Sequence, residues 1–334
     1  MTLITLLIVL TIERVSATLD IWQFPFYYQK MKDMAFKHMG QPSWFDNSIA
    51  RWLWILLPVI VIQFLSGAMN WLLLEFAFNI AVLLICIGCV KERKIYKSFL
   101  NAFKRGDKEA SELYKAQLCG IETEAPPMAT SDVKQTQTDE SQTAPHTDAQ
   151  ADLQTDESAQ TAEQNEEKSG EKSTAQKASE VEVSLGQTLV WLNFRFYCAI
   201  LFWFVCLGAG GAVLYCMIRE TADDKDQKMI HLLPQAQLKK LLHIMDWLPA
   251  RVCSAGYLLI GHFSQATGVW ISYLLDFSSP AKTLICDIAQ AAEPTHETYC
   301  GRAEESACML KLAKRNVLFF LALVALLTLY GGIR

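Results

Sequence analysis

The sequence predicts an all-α fold: a polytopic helical membrane protein interrupted by one disordered acidic insert. Three observations lead there. Apolar residues make up 51% of the 334 positions and charged residues 19%, against about 25% charged in an ordinary soluble domain. Several apolar runs approach the roughly 20 residues that a membrane crossing needs. Charge is also segregated. Residues 122–184 carry fifteen Asp/Glu and four Lys with no Phe, Tyr or Trp, so the net charge of −5 hides an acidic insert in a basic, aromatic body. This distribution excludes a single soluble domain, a secreted disulfide scaffold and a wholly disordered chain.

The N-terminal membrane half covers 1–121. Its first twelve residues are apolar, but Glu13-Arg14 follows at once and no basic region precedes them. The segment is short for a span and a poor match to a cleaved leader, so it is expected to be retained and to pack into the membrane body. Residues 52–90 read as a helical hairpin. Trp52 to Leu65 is broken only by Pro58 and Gln63, Ser66–Asn70 offers a tight turn, and Trp71 to Val90 resumes with Glu75 and Asn79 inside it. Trp52, Trp54 and Trp71 fall near the ends, where an indole suits the interface. Lys91, Arg93, Lys94, Lys97, Lys104, Arg105 and Lys108 follow, and Arg14, Lys30, Lys32, Lys37 and Arg51 precede. By the positive-inside rule both ends of the hairpin face the cytoplasm.

Residues 122–184 form the acidic low-complexity linker. Gln137-Thr138-Asp139-Glu140-Ser141 recurs as Gln154-Thr155-Asp156-Glu157-Ser158. So polar a stretch cannot bury enough apolar area to offset its chain entropy, which predicts a disordered, solvated cytoplasmic spacer.

The C-terminal membrane half covers 185–334 and holds the segments 189–218, 252–275 and 316–333. Gly208, Gly210 and Gly211 interrupt the first, which reads as one long kinked helix or a re-entrant pair. Lys311, Lys314 and Arg315 place the start of the last span in the cytoplasm. An even number of crossings must then separate the insert from it. The return is either a turn at the glycines or Val252–Leu275, and the latter is favoured. Upstream, Leu238, Leu241, Leu242 and Met245 recur with helical period, an amphipathic interfacial helix that Pro249 should end or kink.

Polar residues at membrane depth are the functional candidates, because burying them is costly unless they are paired. Trp191, Asn193 and Arg195 form the densest group. One helical turn lets Arg195 stack on Trp191, and Glu75 or Glu13 is its expected carboxylate partner, with an anionic ligand as the other option. Asp246 and Arg251 are expected to meet across the bend at Pro249. Arg14 and His262 complete the set. Cys86-x-x-Cys89 has no second pair, and core cysteines behave as small hydrophobes. No zinc spacing, P-loop, G-x-G-x-x-G or Ser/His/Asp arrangement occurs, so no cofactor or metal is expected. The basic loops are explained by topology rather than by nucleic-acid binding.

Met1-Thr2-Leu3 with Ile12-Glu13-Arg14 and Trp22-Gln23 resembles the AmpE family. So do Trp191-Leu192-Asn193-Phe194-Arg195-Phe196-Tyr197 with Leu201-Phe202-Trp203, Asp246-Trp247-Leu248-Pro249-Ala250-Arg251 with Leu259-Ile260-Gly261-His262, and Leu323 through Gly331. The resemblance implies a bacterial inner-membrane protein, a sensor or signalling component in the regulation of β-lactamase induction and cell-wall recycling. Its partners would be the lipid bilayer and a recycling amidase or a muropeptide-like ligand. That family is itself similar to adenosylcobinamide-phosphate synthase, the CobD/CbiB group, which implies a CobD/CbiB-like fold. Against that enzyme, Trp191 and Leu192 stand where it has Glu-Asn, Arg195 where it has Asp, and Arg219 and Ala222 in later polar places. The resemblance therefore implies a retained scaffold with an altered site and no catalysis, the alternative being a membrane-bound amide-forming enzyme.

Overall fold

The computed structural model describes residues 2–15, 23–39, 48–69, 71–120, 184–224, 235–293 and 302–331. Among them there are helices and connecting turns and no strand. The helices are α1 (Thr2–Val15), α2 (Phe24–Met39), α3 (Ser48–Ala68), α4 (Leu72–Ile87), α5 (Val90–Arg105), α6 (Lys108–Cys119), α7 (Leu185–Asn193), α8 (Ala199–Asp223), α9 (Gln235–Ile260), α10 (Phe263–Leu274), α11 (Ala281–Ala292) and α12 (Arg302–Leu329). A π-turn, Phe194–Cys198, fuses α7 to α8. The acidic linker lies almost wholly outside the described residues, so its predicted disorder does too.

The polytopic helical membrane fold is the one observed. Leu185–Asp223 and Glu305–Leu329 are each long and apolar enough to cross a membrane, and the bent pair α4–α5 makes a third if counted as one span. The α8 helix is central: it packs on α3, α4 and α9, while α7 lies against α11 and α12. Its buried face includes Ile200, Leu201, Tyr215, Met217 and Ile218. Lipid chains are as apolar as leucine, so close approach of helices depends on small residues. Ala209-Gly210-Gly211-Ala212 supplies them on α8, where a side chain at Gly210 would strike Gln63 of α3. Gly256 of α9 likewise lies on Asn316 of α12, whose amide donates to the Cys253 carbonyl at 3.0 Å.

Several boundaries differ from those the sequence predicts. The first apolar segment is helical through Glu13 and buries Leu6 and Val9 against α4 and α12. The 52–90 hairpin exists as α3 and α4, but the two helices pack on α8 more than on each other, and α5 bends away by 45° after Ile87. The segment 189–218 is a folded-back helical pair, the second of its two alternatives: its arms reverse direction at Gly208 and bring Arg219 onto the Arg195 carbonyl. The second arm extends to Asp223, and the φ of +71° at Gly208 is open to glycine without strain. The predicted segment 252–275 is not one helix. Its first part continues α9, which runs through Pro249 instead of ending there, and the break falls at Gly261-His262. There the His262 N–H donates to the Ala292 carbonyl at 2.7 Å, and a Cβ on Gly261 would collide with that same carbonyl. Nothing was assigned to α11, although Leu284, Ile285, Ile288, Ala289 and Ala292 carry a helical period and are buried. Of the last predicted span, 316–333, residues 316–329 are the C-terminal part of α12, and 332 and 333 lie outside the described residues.

Candidate functional site

The strongest concentration of buried charge surrounds the π-turn and the far end of α8. In the π-turn the Ala199 N–H bonds to the Phe194 carbonyl, five residues back. Such a bulge aims its side chains differently from a regular helix and is frequent at functional sites. Arg195 sits in it. Its guanidinium lies 5.7 Å from the Trp191 ring centroid, and Nη2 is 2.7 Å from Asp223 Oδ2. The ion pair is close but off the N–H axis, so Nη2 and Nε make no aligned hydrogen bond. Arg195 is 15% exposed and Asp223 54%, which puts the pair at the protein surface, with the arginine inward and the acid outward. The side-chain Oδ1 of Asn193, nearby in sequence, is also buried without a partner.

Arg219 lies one helical turn before Asp223 and is 1% exposed. Its Nε and Nη2 share Glu220 Oε1 at 3.1 and 2.9 Å, Nη1 donates to the Arg195 carbonyl at 3.2 Å, and its plane covers Phe196 at 4.4 Å. One turn earlier, the Tyr215 hydroxyl donates to Asp246 Oδ1 at 2.8 Å. Asp246, on α9, is 4% exposed. Burial pushes its carboxyl up to about 6, against the opposing pull of the Tyr215 hydroxyl and of the Arg195 and Arg219 charges. Two arginines, three carboxylates and a tyrosine thus interlock around the helix α7–α8 and its neighbour α9. Among the described residues no group of three His, Cys, Asp or Glu side chains is arranged to hold a metal ion.

The predicted pairings are corrected here. Arg195 pairs with Asp223, not with Glu75 or Glu13. Glu75 stands in the first turn of α4, where a carboxylate favours the helix N-terminus, and forms no described ion pair. Glu13 instead pairs with Arg93 of α5 and accepts from the Tyr197 hydroxyl at 2.8 Å, while Cys89 Sγ lies 3.3 Å from that hydroxyl. Asp246 and Arg251 do not meet, because five residues along an uninterrupted helix point them apart. Arg251 covers Trp247 at 4.2 Å and donates to the Trp247 and Tyr273 carbonyls at 3.1 Å each and to the Asp276 carbonyl. It therefore fastens the end of α10 to α9. The ring of His262 is exposed at the start of α10, and the side chain of Arg14 lies outside the described residues.

The reading of the sequence missed Tyr215, Glu220 and Asp223 as site members, and used Arg219 only by comparison with the related enzyme. The available signal was spacing: Tyr215, Arg219 and Asp223 recur every four residues on one face of a helix whose apolar run was ended too early, at Ile218. A second buried network, in which Asp224 accepts from Tyr28 at 3.0 Å and Lys32 at 3.2 Å, was missed for the same reason.

Comparison with known proteins identifies a family. The family model "Regulatory signalling modulator protein AmpE" matches residues 1–144 and 140–334. Protein AmpE of Shigella flexneri is 32% identical over 154 residues, covering 45% of this chain and 54% of that protein, so the match spans about half the length of that curated relative. Cobalamin biosynthesis protein CobD of Chromobacterium violaceum is 35% identical over 86 residues, 25% of this chain and 27% of that protein. No solved structure matches. With a family model matched from one end of the sequence to the other, the chain belongs to the AmpE family of regulatory signalling modulators.

Proposed function

We propose that this protein is a non-catalytic, multi-pass regulatory protein of the bacterial inner membrane that takes part in β-lactamase induction coupled to cell-wall recycling. The acidic linker would lie in the cytoplasm. The cluster around Arg195 would receive the signal, either a muropeptide-like ligand or contact with a recycling amidase. The observation that carries this is the Arg195–Asp223 pair: a largely buried guanidinium in a π-turn, its Nε unpartnered, held by a half-exposed carboxylate that another anion can replace. A charge so placed is tolerated because it has a partner, and it is available because that partner faces outward. The family's description as regulatory signalling modulators supports a regulatory role. The test is a gene deletion in which β-lactamase induction and muropeptide pools are measured together. The reading requires induction to change on deletion and to return when the intact gene is supplied.

A second reading, a membrane-bound amide-forming enzyme, is favoured by the similarity to CobD and by the carboxylates Glu220, Asp223 and Asp246 gathered at one place. Each of them is engaged by Arg219, Arg195 or Tyr215. Formation of adenosylcobinamide phosphate by the purified protein would establish that reading over the first.

A further inference from the structure

An apolar cavity of about 180 Å³ lies between α2, α3, α4 and α8, walled by Tyr27, Met31, Pro58, Ile62, Val82 and Met217 among others. An apolar void of about 150 Å³ in a protein interior stays free of water and takes up hydrocarbon. The Tyr28 hydroxyl at this wall is already spent on Asp224, so the cavity offers a polar ligand almost nothing. Its mouth is beside Tyr27, which is 42% exposed, and the neighbouring outward residues of α3, Leu57, Ile60 and Val61, are at least half exposed. On a helix that apolar, the solvent at the mouth is lipid.

The charge beside the mouth specifies which lipid. Tyr27, Lys30, Met34 and Lys37 follow each other at intervals of three and four residues, one stripe of α2 that starts at the cavity. Met34 is 55% exposed, and Lys30 and Lys37 are exposed and form no described ion pair, nor does Asp33 between them. Lys32 points the other way and is buried on Asp224. An amphipathic helix with free lysines and exposed Phe26, Tyr27 and Met34 suits the headgroup layer of an anionic membrane.

We propose that this slot holds part of one acyl chain of an anionic phospholipid whose headgroup rests on Lys30 and Lys37. The experiment uses the purified full-length protein in mild detergent, titrated with palmitoyl-oleoyl phosphatidylglycerol or the matching phosphatidylcholine. Bound lipid is counted by native mass spectrometry and the melting temperature is followed in parallel. The wild type should keep one phosphatidylglycerol and be stabilised by it more than by phosphatidylcholine. Lys30→Gln with Lys37→Gln should weaken that retention about fivefold for each lysine removed and abolish the headgroup preference. Val82→Phe, which fills the slot, should release both lipids. Equal retention of the two lipids by the wild type overturns the proposal. So does undiminished phosphatidylglycerol on the double lysine variant, a surface change that decides the matter even if Val82→Phe does not insert.

Discussion

Arg219 donates through Nη1 to the backbone carbonyl of Arg195, 3.2 Å away, although the two residues are 24 apart in sequence, on helical arms either side of Gly208. In a straight α-helix that separation is about 36 Å. The contact therefore requires a fold in the helix, and the reversal at Gly208 supplies it. The carbonyl that receives Arg219 belongs to the π-turn that presents the Arg195 side chain, so the two arginines form one unit. Arg219→Met should leave the partly exposed Glu220 without its cation, the Arg195 carbonyl without its donor, and the buried end of α8 without the pair that Arg219 makes there. Removing one member of a buried pair costs about 3–5 kcal/mol. The expected outcome is a large fall in membrane abundance and melting temperature, with Arg219→Lys only partly rescuing because it lacks the planar fork. Both are read by immunoblot and by thermal unfolding in detergent.

Asp246 predicts a pH dependence. Its carboxyl is held at about 6 in the folded protein, above the ordinary value of 3.8. Between these values the folded state binds the proton and the unfolded state does not, so stability falls as pH rises from about 4 to 6 and stays lower above. The size is on the order of 3 kcal/mol at neutral pH. Asp246→Asn keeps an acceptor for Tyr215 and removes the charge. Its melting temperature should match that of the wild type near pH 4 and exceed it at pH 7.5. Parallel pH profiles for the two proteins would remove Asp246 as the titrating group.

Arg251 donates to four carbonyls, that of Trp247 on α9 and those of Tyr273, Leu274 and Asp276 at and after the end of α10, and Asp276 is held below the usual carboxylate range chiefly by the Ser279 hydroxyl and the Ser278 N–H. Hydrogen bonds to a charged donor are worth about 1.5–3 kcal/mol each. Arg251→Ala should therefore loosen the 275–280 turn before it unfolds the protein. Limited proteolysis of the membrane-bound variant should show faster cleavage there, and Arg251→Lys should lie between the two.

The basic flanks of the hairpin predict that Arg51 and Lys91 lie in the cytoplasm and the Ser66–Asn70 turn on the opposite face. Single cysteines in a cysteine-free background, exposed to an impermeant thiol reagent on intact spheroplasts, should be labelled at position 68 and not at 51 or 91. Labelling at 91 alone reverses the orientation.

The helical membrane class was legible because composition and long apolar runs suffice for it, and α1, α3, α4, α8 and α12 were found from hydropathy. What hydropathy cannot mark is where hydrogen bonding continues past an apolar run. The helix α8 continues through Arg219, Glu220 and Asp223 because Arg219 pairs with Glu220 and Asp223 with Arg195, and a reading that ends a span at its first charge cuts the site in half. Pro249 lacks an N–H yet sits inside α9, where packing against α8, α11 and α12 outweighs the lost bond. Arg195 and Asp246 were singled out because charge in an apolar setting needs a partner. Their actual partners, Asp223 and Tyr215, lie 28 residues along a helix folded back at Gly208 and on a different helix, distances that local spacing does not encode.

The central claim is that the Arg195–Asp223 pair is the place where this regulator is engaged. The direct test is to express wild type, Arg195→Lys and Arg195→Leu from the same promoter in a deletion strain and to measure β-lactamase induction against membrane abundance. Arg195→Lys keeps the charge but loses the fork, and Arg195→Leu removes a costly charge from an apolar segment. The account predicts both variants in the membrane at near wild-type levels, with Arg195→Leu unable to support normal induction and Arg195→Lys impaired. Wild-type induction by both at wild-type abundance would contradict it.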